Sequence, residues 1–262
     1  MVDGSHLAIG LSTGEVQMWD VARKKQVRSM KGHAARVGSL SWNNHILASG
    51  SRDSMIFHHD VRIAQHHIKT LKGHQQEICG LKWSPDGTQL ASGGNDNMLC
   101  IWDANSANDT AKFTITDANA AVKALAWNPA EPGLLATGCG TADRHIRFYN
   151  TMTGDVVNQI DTESQVCSLI WAPDGKEILS SHGFSQNQLI VWKYPTMAKV
   201  AELTGHTSRV LQTALSSDGQ TVCSAAADET IRFWNIFEAA AKKSRKVAES
   251  PNHGSRMRMN IR

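Results

Sequence analysis

Apolar residues fall along this chain in short, strand-length runs, broken by glycine, proline and small polar residues. The clearest example is Ile78-Cys79-Gly80-Leu81-Lys82-Trp83, which reads as one strand. Ser84-Pro85-Asp86-Gly87 then turns the chain, with glycine free to take a positive φ. Gln89-Leu90-Ala91-Ser92-Gly93 predicts a second strand, Asn95-Asp96-Asn97 another turn, and Met98-Leu99-Cys100-Ile101-Trp102 a third strand.

The phrase recurs. Its endings are Trp19-Asp20, His59-Asp60, Trp102-Asp103, Tyr149-Asn150, Trp192-Lys193 and Trp234-Asn235, with successive gaps of 40, 43, 47, 43 and 42 residues. A second landmark keeps the same time at Trp42, Trp83, Trp127, Trp171 and Leu215. A third is Gly-His at 32-33, 73-74 and 205-206, whose histidine lies nine residues before the second landmark. At that offset the other two repeats carry Ala118 and Thr162, so the histidine is lost there. Four strands in about 40–45 residues, with Gly-His and Trp-Asp signatures, define a blade of a WD-repeat β-propeller.

Each signature also contains a serine, a histidine and an aspartate, the residue types of a hydrolase triad. His74, Ser92, Asp96 and Trp102 recur as His206, Ser224, Asp228 and Trp234, and again as His33, Ser49, Asp53 and His59. A triad is one site, whereas one copy per blade predicts a buried network whose polar groups satisfy one another. A metal hydrolase would have to use His58, His59, His66 and His67. That group is split between a strand end and a polar turn and has no acidic pair beside it. No catalytic residue, metal or cofactor is expected, and the chain reads as an interaction platform.

Composition narrows the picture slightly. The formal net charge is +3, too small to argue for a nucleic-acid partner. Cysteines 79, 100, 139, 167 and 223 form no Cys-x-x-Cys pair and read as buried strand thiols in a reducing compartment. No apolar run reaches the ~18 residues of a membrane span, and the N-terminus lacks a signal peptide's basic start and apolar core.

Residues Met1 to Ala8 match the turn and second strand of the unit at 85–91, so the chain opens inside a blade. The expected fold is all-β: five full repeats plus a partial one, an incomplete seven-blade propeller over residues 1–237. A fragment or a late start codon accounts for this better than closure with fewer blades. Residues 238–262 are expected to form a flexible basic tail, with Lys242, Lys243, Arg245, Lys246, Arg256, Arg258 and Arg262 against Glu249.

The wording of the blades carries a further signal. His182-Gly183-Phe184-Ser185-Gln186-Asn187-Gln188-Leu189 resembles a signature of the Fizzy family, activators of the anaphase-promoting ubiquitin ligase. Gly93-Gly94-Asn95-Asp96-Asn97, Thr141-Ala142-Asp143-Arg144-His145-Ile146-Arg147 and Ala225-Ala226-Ala227-Asp228-Glu229-Thr230 resemble it as well. His58-His59-Asp60-Val61-Arg62 and Phe148-Tyr149-Asn150 look more like the family's mitotic branch.

The resemblance implies substrate recruitment, in both nucleus and cytoplasm. Family members hold degron peptides on the propeller and carry them to the ligase, which performs the ubiquitin transfer. For the Lys-Glu-Asn degron it implies contacts from Asn95, Asn97, Thr141, Gln165 and Arg209. Spacing supports part of this independently. Three residues after each Gly-His position come Arg36, Glu77, Ala121, Gln165 and Arg209, equivalent sites near a channel mouth. An arginine there suits the degron glutamate, and amides suit its lysine and asparagine.

For the destruction box, Arg-x-x-Leu, the resemblance implies that Glu229 pairs with the degron arginine, in a pocket whose first-blade half is missing from this chain. It also implies that the terminal Ile261-Arg262 docks on helical-repeat subunits of the ligase. Spindle-checkpoint proteins are further implied partners. A generic propeller scaffold and a non-functional truncated form are the alternatives.

Overall fold

The computed structural model describes residues 4–237. They form six antiparallel sheets. The first holds β1 (His6–Gly10), β2 (Val16–Asp20) and β3 (Lys25–Met30). The second holds β4 (Val37–Asn43), β5 (Ile46–Ser51), β6 (Met55–Asp60) and β7 (His67–Lys72). The third holds β8 (Ile78–Trp83), β9 (Gln89–Gly94), β10 (Leu99–Asp103) and β11 (Phe113–Ile115). The fourth holds β12 (Val122–Trp127), β13 (Leu134–Cys139), β14 (His145–Asn150) and β15 (Val156–Asp161). The fifth holds β16 (Val166–Trp171), β17 (Glu177–His182), β18 (Leu189–Lys193) and β19 (Ala198–Leu203). The sixth holds β20 (Val210–Leu215), β21 (Thr221–Ala226) and β22 (Ile231–Asn235).

The all-β WD-repeat propeller is therefore the observed architecture, but the expected blade count needs correction. Six sheets stand where five repeats and a fragment of a seven-blade ring were expected. The opening residues lack the Trp42-type landmark strand, so they read as a remnant. In the structure β1, β2 and β3 pair continuously, from His6↔Asp20 to Val16↔Met30, and make a sheet of their own.

The first strands of neighbouring sheets touch in succession: β1 with β4, β4 with β8, β8 with β12, β12 with β16, and β16 with β20. Of these, β4, β8, β12, β16 and β20 line a central cavity of about 810 Å³. The core lies between sheets rather than within them. Ile56, Leu71, Ile78, Leu81 and Trp102 pack between the second and third, and Ile146, Phe148, Val166, Leu169 and Trp192 between the fourth and fifth. Trp127 donates from Nε1 to the Lys82 carbonyl at 3.0 Å, and Trp171 to the Ala126 carbonyl at 3.0 Å, so these two landmark tryptophans tie the fourth sheet to the third and the fifth to the fourth.

The turn read at 84–87 has the predicted chemistry. Gly87 takes φ +71°, and the Asn43 side chain of the preceding sheet donates to its carbonyl at 2.9 Å. A Cβ on Gly87 would meet Asn43 Oδ1 at 2.5 Å, so close approach and backbone sign both call for glycine.

Candidate functional site: the mouth of the central channel

Five residues stand at the head of the inner strands, each immediately before the first strand residue: Arg36, Glu77, Ala121, Gln165 and Arg209. Four of their carbonyls are held by the turn that follows the second strand of the same sheet. Arg52 N donates to Arg36 O at 2.9 Å, Asn95 N to Glu77 O at 2.8 Å, Gly140 N to Ala121 O at 3.0 Å, and Ala227 N to Arg209 O at 3.0 Å. This recurring bond brings the turns and the strand heads to one rim. It explains how Asn95, distant in sequence from Gln165 and Arg209, reaches the same face.

Thr141 and Gln165 come together, with Thr141 Oγ1 donating to Gln165 Oε1 at 3.3 Å. Asn95 is exposed, and its Oδ1 accepts from the Cys79 thiol at 3.0 Å. Burial first, then the Glu77 charge, push the Cys79 thiol up, so it stays protonated and able to donate. Asn97 takes φ +64° and donates from its backbone N to Gly94 O at 3.3 Å. Its place in the turn thus accounts for an asparagine by itself, because asparagine tolerates the left-handed region. Arg209 is exposed, and its guanidinium has no ion pair among the described residues.

Two neighbours on this rim, equivalent by spacing, share a contact that the sequence does not reveal. Arg36 and Glu77 form a bidentate pair, Nε to Oε1 at 2.7 Å and Nη2 to Oε2 at 2.7 Å. The pair spans the boundary between the second and third sheets and cancels its own charge. Arg209 is left as the unpaired cation among these five strand heads, on the rim that also carries Gln165, Thr141 and Asn95. That arrangement suits a peptide carrying a carboxylate beside amide-bonding groups.

The repeated Ser/His/Asp groups are built as buried networks. In the third sheet His74 Nδ1 bonds Asp96 at 3.0 Å and its Nε2 bonds Ser92 Oγ at 2.8 Å, while Trp102 Nε1 donates to the same Oγ at 2.8 Å. The sixth sheet repeats this with His206, Asp228, Ser224 and Trp234 at 3.0, 2.8 and 2.8 Å. Every polar atom that a hydrolase would need is already engaged, and Ser92 and Ser224 are fully buried. In the fifth sheet, where Thr162 replaces the Gly-His histidine, His182 Nε2 bonds Ser180 Oγ at 2.7 Å from within β17.

The comparisons with known proteins fit this geometry. The family model described as the CDC20/Fizzy WD40 domain matches residues 1–234. The chain belongs to the CDC20/Fizzy family. It is 59% identical over 263 residues to "Anaphase-promoting complex subunit cdc20" of Dictyostelium discoideum, covering 98% of this chain and 52% of the relative. It is 56% identical over 265 residues to "Cell division cycle 20.1, cofactor of APC complex" of Arabidopsis thaliana, covering 98% of this chain and 58% of that one. "Protein FIZZY-RELATED 1" of the same plant is 55% identical over 243 residues, at 93% and 51% coverage. A chain in the crystal structure of the mitotic checkpoint complex superposes with a TM-score of 0.87 at 53% identity, covering 90% of this chain and 74% of that chain. The chain spans about half the length of the curated relatives it matches.

The remaining predicted positions of this CDC20/Fizzy domain lie elsewhere. Glu229 is exposed in the turn between β21 and β22, at φ +63°, on the sixth sheet and so two sheets beyond Thr141. Ile261 and Arg262 fall outside the described residues, as does the rest of the basic tail from 238. His59 and His66 do meet, Nδ1 to Nδ1 at 2.9 Å, and Ser49 Oγ bonds His59 Nε2 at 2.8 Å. Among the described residues no group of three or more His, Cys, Asp or Glu side chains is arranged to hold a metal ion.

Proposed function

We propose that this chain is the substrate-recognition and activator subunit of the anaphase-promoting ubiquitin ligase, acting in nucleus and cytoplasm. It has no chemistry of its own, and ubiquitin transfer belongs to its partner complex. Degron peptides with a Lys-Glu-Asn core bind at the channel mouth through Asn95, Asn97, Thr141, Gln165 and Arg209. Glu229 supplies one side of the destruction-box contact. Ile261 and Arg262 dock on helical-repeat subunits of the ligase, and spindle-checkpoint proteins are further partners. The names of the relatives support the ligase partnership, and the mitotic checkpoint complex supports the checkpoint one. The mitotic-branch assignment draws support from the 59% identity to the Dictyostelium relative alone, since the plant cell-division-cycle 20 and Fizzy-related relatives overlap at 54–56%.

The observation that carries the degron reading is the unpaired Arg209 guanidinium on the rim that also holds the Thr141–Gln165 pair and Asn95. The test is fluorescence anisotropy of a labelled Lys-Glu-Asn peptide against an all-alanine control. Saturable, selective binding is expected. Arg209→Ala should weaken it by about 1–3 kcal/mol, the scale of a hydrogen bond to a charged group. Unchanged affinity in a variant with the parent melting temperature would remove Arg209 from the site. No selective binding by the folded parent chain would remove the degron reading itself.

A further inference from the structure

Every inner strand of sheets two to six opens with a β-bulge. The register slips between Val37 and Ser39, Ile78 and Gly80, Val122 and Ala124, Val166 and Ser168, and Val210 and Gln212. A bulge sets two residues against one and re-aims the extra side chain. The extra residues are Gly38, Cys79, Lys123, Cys167 and Leu211, and the first four line the central cavity just inside the rim. Four of the five are uncharged, the two thiols being held protonated by burial. Lys123 alone brings a full charge to this inner ring.

The ammonium is uncompensated. Lys123 stands on the fourth sheet, between the third and fifth sheets whose bulge residues Cys79 and Cys167 line the same cavity. It is half-buried and makes no hydrogen bond or ion pair among the described residues. Glu77, the carboxylate of the rim, is already taken by Arg36 in two 2.7 Å bonds. Among the described residues no carboxylate lines the cavity, where Lys82 adds a second ammonium near the other end of β8. On its own sheet the rim residue above Lys123 is Ala121, which offers no polar side chain. A cation without a partner, beside a cavity lined by no carboxylate, is a place where a ligand anion gains a charge-assisted hydrogen bond.

We propose that Lys123 is a second anion-recognising position of this mouth, binding a carboxylate or phosphate of the peptide other than the glutamate that meets Arg209. The inference rests on the degron-receptor reading above. It names the preferred substrate class: degrons with an additional acidic or phosphorylated residue flanking the Lys-Glu-Asn core.

The test measures anisotropy for a core peptide with alanine flanks and for a series in which one glutamate is walked through the flanking positions. Parent protein, Lys123→Gln and Lys123→Arg are compared, each with its melting temperature checked. The readout is the ratio of acidic-peptide to core-peptide affinity on the same protein, which cancels general effects of a substitution. One position should gain about tenfold on the parent chain, the scale of one charge-assisted contact. The gain should vanish in Lys123→Gln and persist in Lys123→Arg. Phosphoserine at that position separates the two sources of the anion: a larger gain than glutamate assigns phosphate, an equal or smaller one assigns carboxylate. Core binding with no gain at any position, or a gain that survives Lys123→Gln, overturns this inference and leaves the receptor reading standing. Failure of the core peptide to bind the folded parent overturns both.

Discussion

The third and sixth sheets carry the same polar signature in different surroundings. His74, Ser92, Asp96 and Trp102 in one, and His206, Ser224, Asp228 and Trp234 in the other, are joined by bonds of matching length. Yet β10 is buried except at its last residue, while Ile231 and Phe233 on the equivalent β22 are 63% and 73% exposed. The signature therefore sets local geometry without setting burial. Burial comes from the neighbour: the third sheet is packed on both faces, by clusters shared with the second and with the fourth. The sixth shares its apolar cluster with the fifth. Stability in such an array is approximately the sum of each unit's own stability and that of its interfaces with nearest neighbours.

The largest expected effect follows from that inequality. Trp102 is 2% exposed and packs against Ile78, Leu81 and Leu90, whereas Trp234 is half-buried at the margin of its cluster. Trp102→Ala should cost about 3–5 kcal/mol through loss of a fully buried indole, and Trp234→Ala about 1–2 kcal/mol. Both serines keep a histidine partner, so the difference reads packing rather than lost hydrogen bonding. Urea unfolding of the two variants measures it. Equal losses would break the comparison and make the polar network, rather than packing, the main source of each sheet's stability.

Acid should sharpen the same contrast, on a smaller scale. Burial lowers His59 to about 3, and lowers His58 and His182 to about 4, all three on interior sheets. These imidazoles are neutral when folded, while in the unfolded chain they titrate near 6.5. Their stabilising effect is complete above pH 6.5 and is lost as pH falls toward the folded values. From pH 7 to 5 each should contribute about 1–2 kcal/mol of destabilisation. Melting temperature should therefore drop steadily over that window, with interior-sheet amides gaining exchange as it does. A flat profile between pH 7 and 5 would mean that these histidines are not held neutral.

How much of this was legible in the sequence depends on whether a feature repeats. The strand order, the turn at Gly87 and the His–Ser–Asp–Trp networks are spelled out several times, so the chain serves as its own comparison. Features that arise between sheets are spelled once. Arg36 and Glu77 are separated by 41 residues and meet because adjacent inner strands bring their heads together. The bulges that turn Cys79, Lys123 and Cys167 into the channel depend on register, which alternation along a strand does not reveal. His182 restores the serine contact of a sheet that lost its Gly-His histidine, from a strand position where no other copy carries histidine. The proposed degron positions rest on family resemblance. Local reading of Asn97 and Glu229 reaches as far as their left-handed turn sites and no further.

The smallest effect concerns the exposed face of the sixth sheet. Ile231 and Phe233 point away from the cluster shared with the fifth sheet, so replacing them removes little buried area. Ile231→Thr with Phe233→Thr should shift stability by no more than about 0.5 kcal/mol, the usual range for surface changes, while β-branched threonine keeps the strand's preference. What should change is association. Two large apolar side chains on the outermost strand of a sheet, as β22 is among the described residues, form an adhesive edge, and self-association through it depends on concentration. Sedimentation velocity over a concentration series should show the parent chain growing in mass and the double variant remaining at the monomer value. If both associate equally, the contact surface lies elsewhere, and the half-exposed face of β1, with Leu7 and Ile9, becomes the place to substitute next.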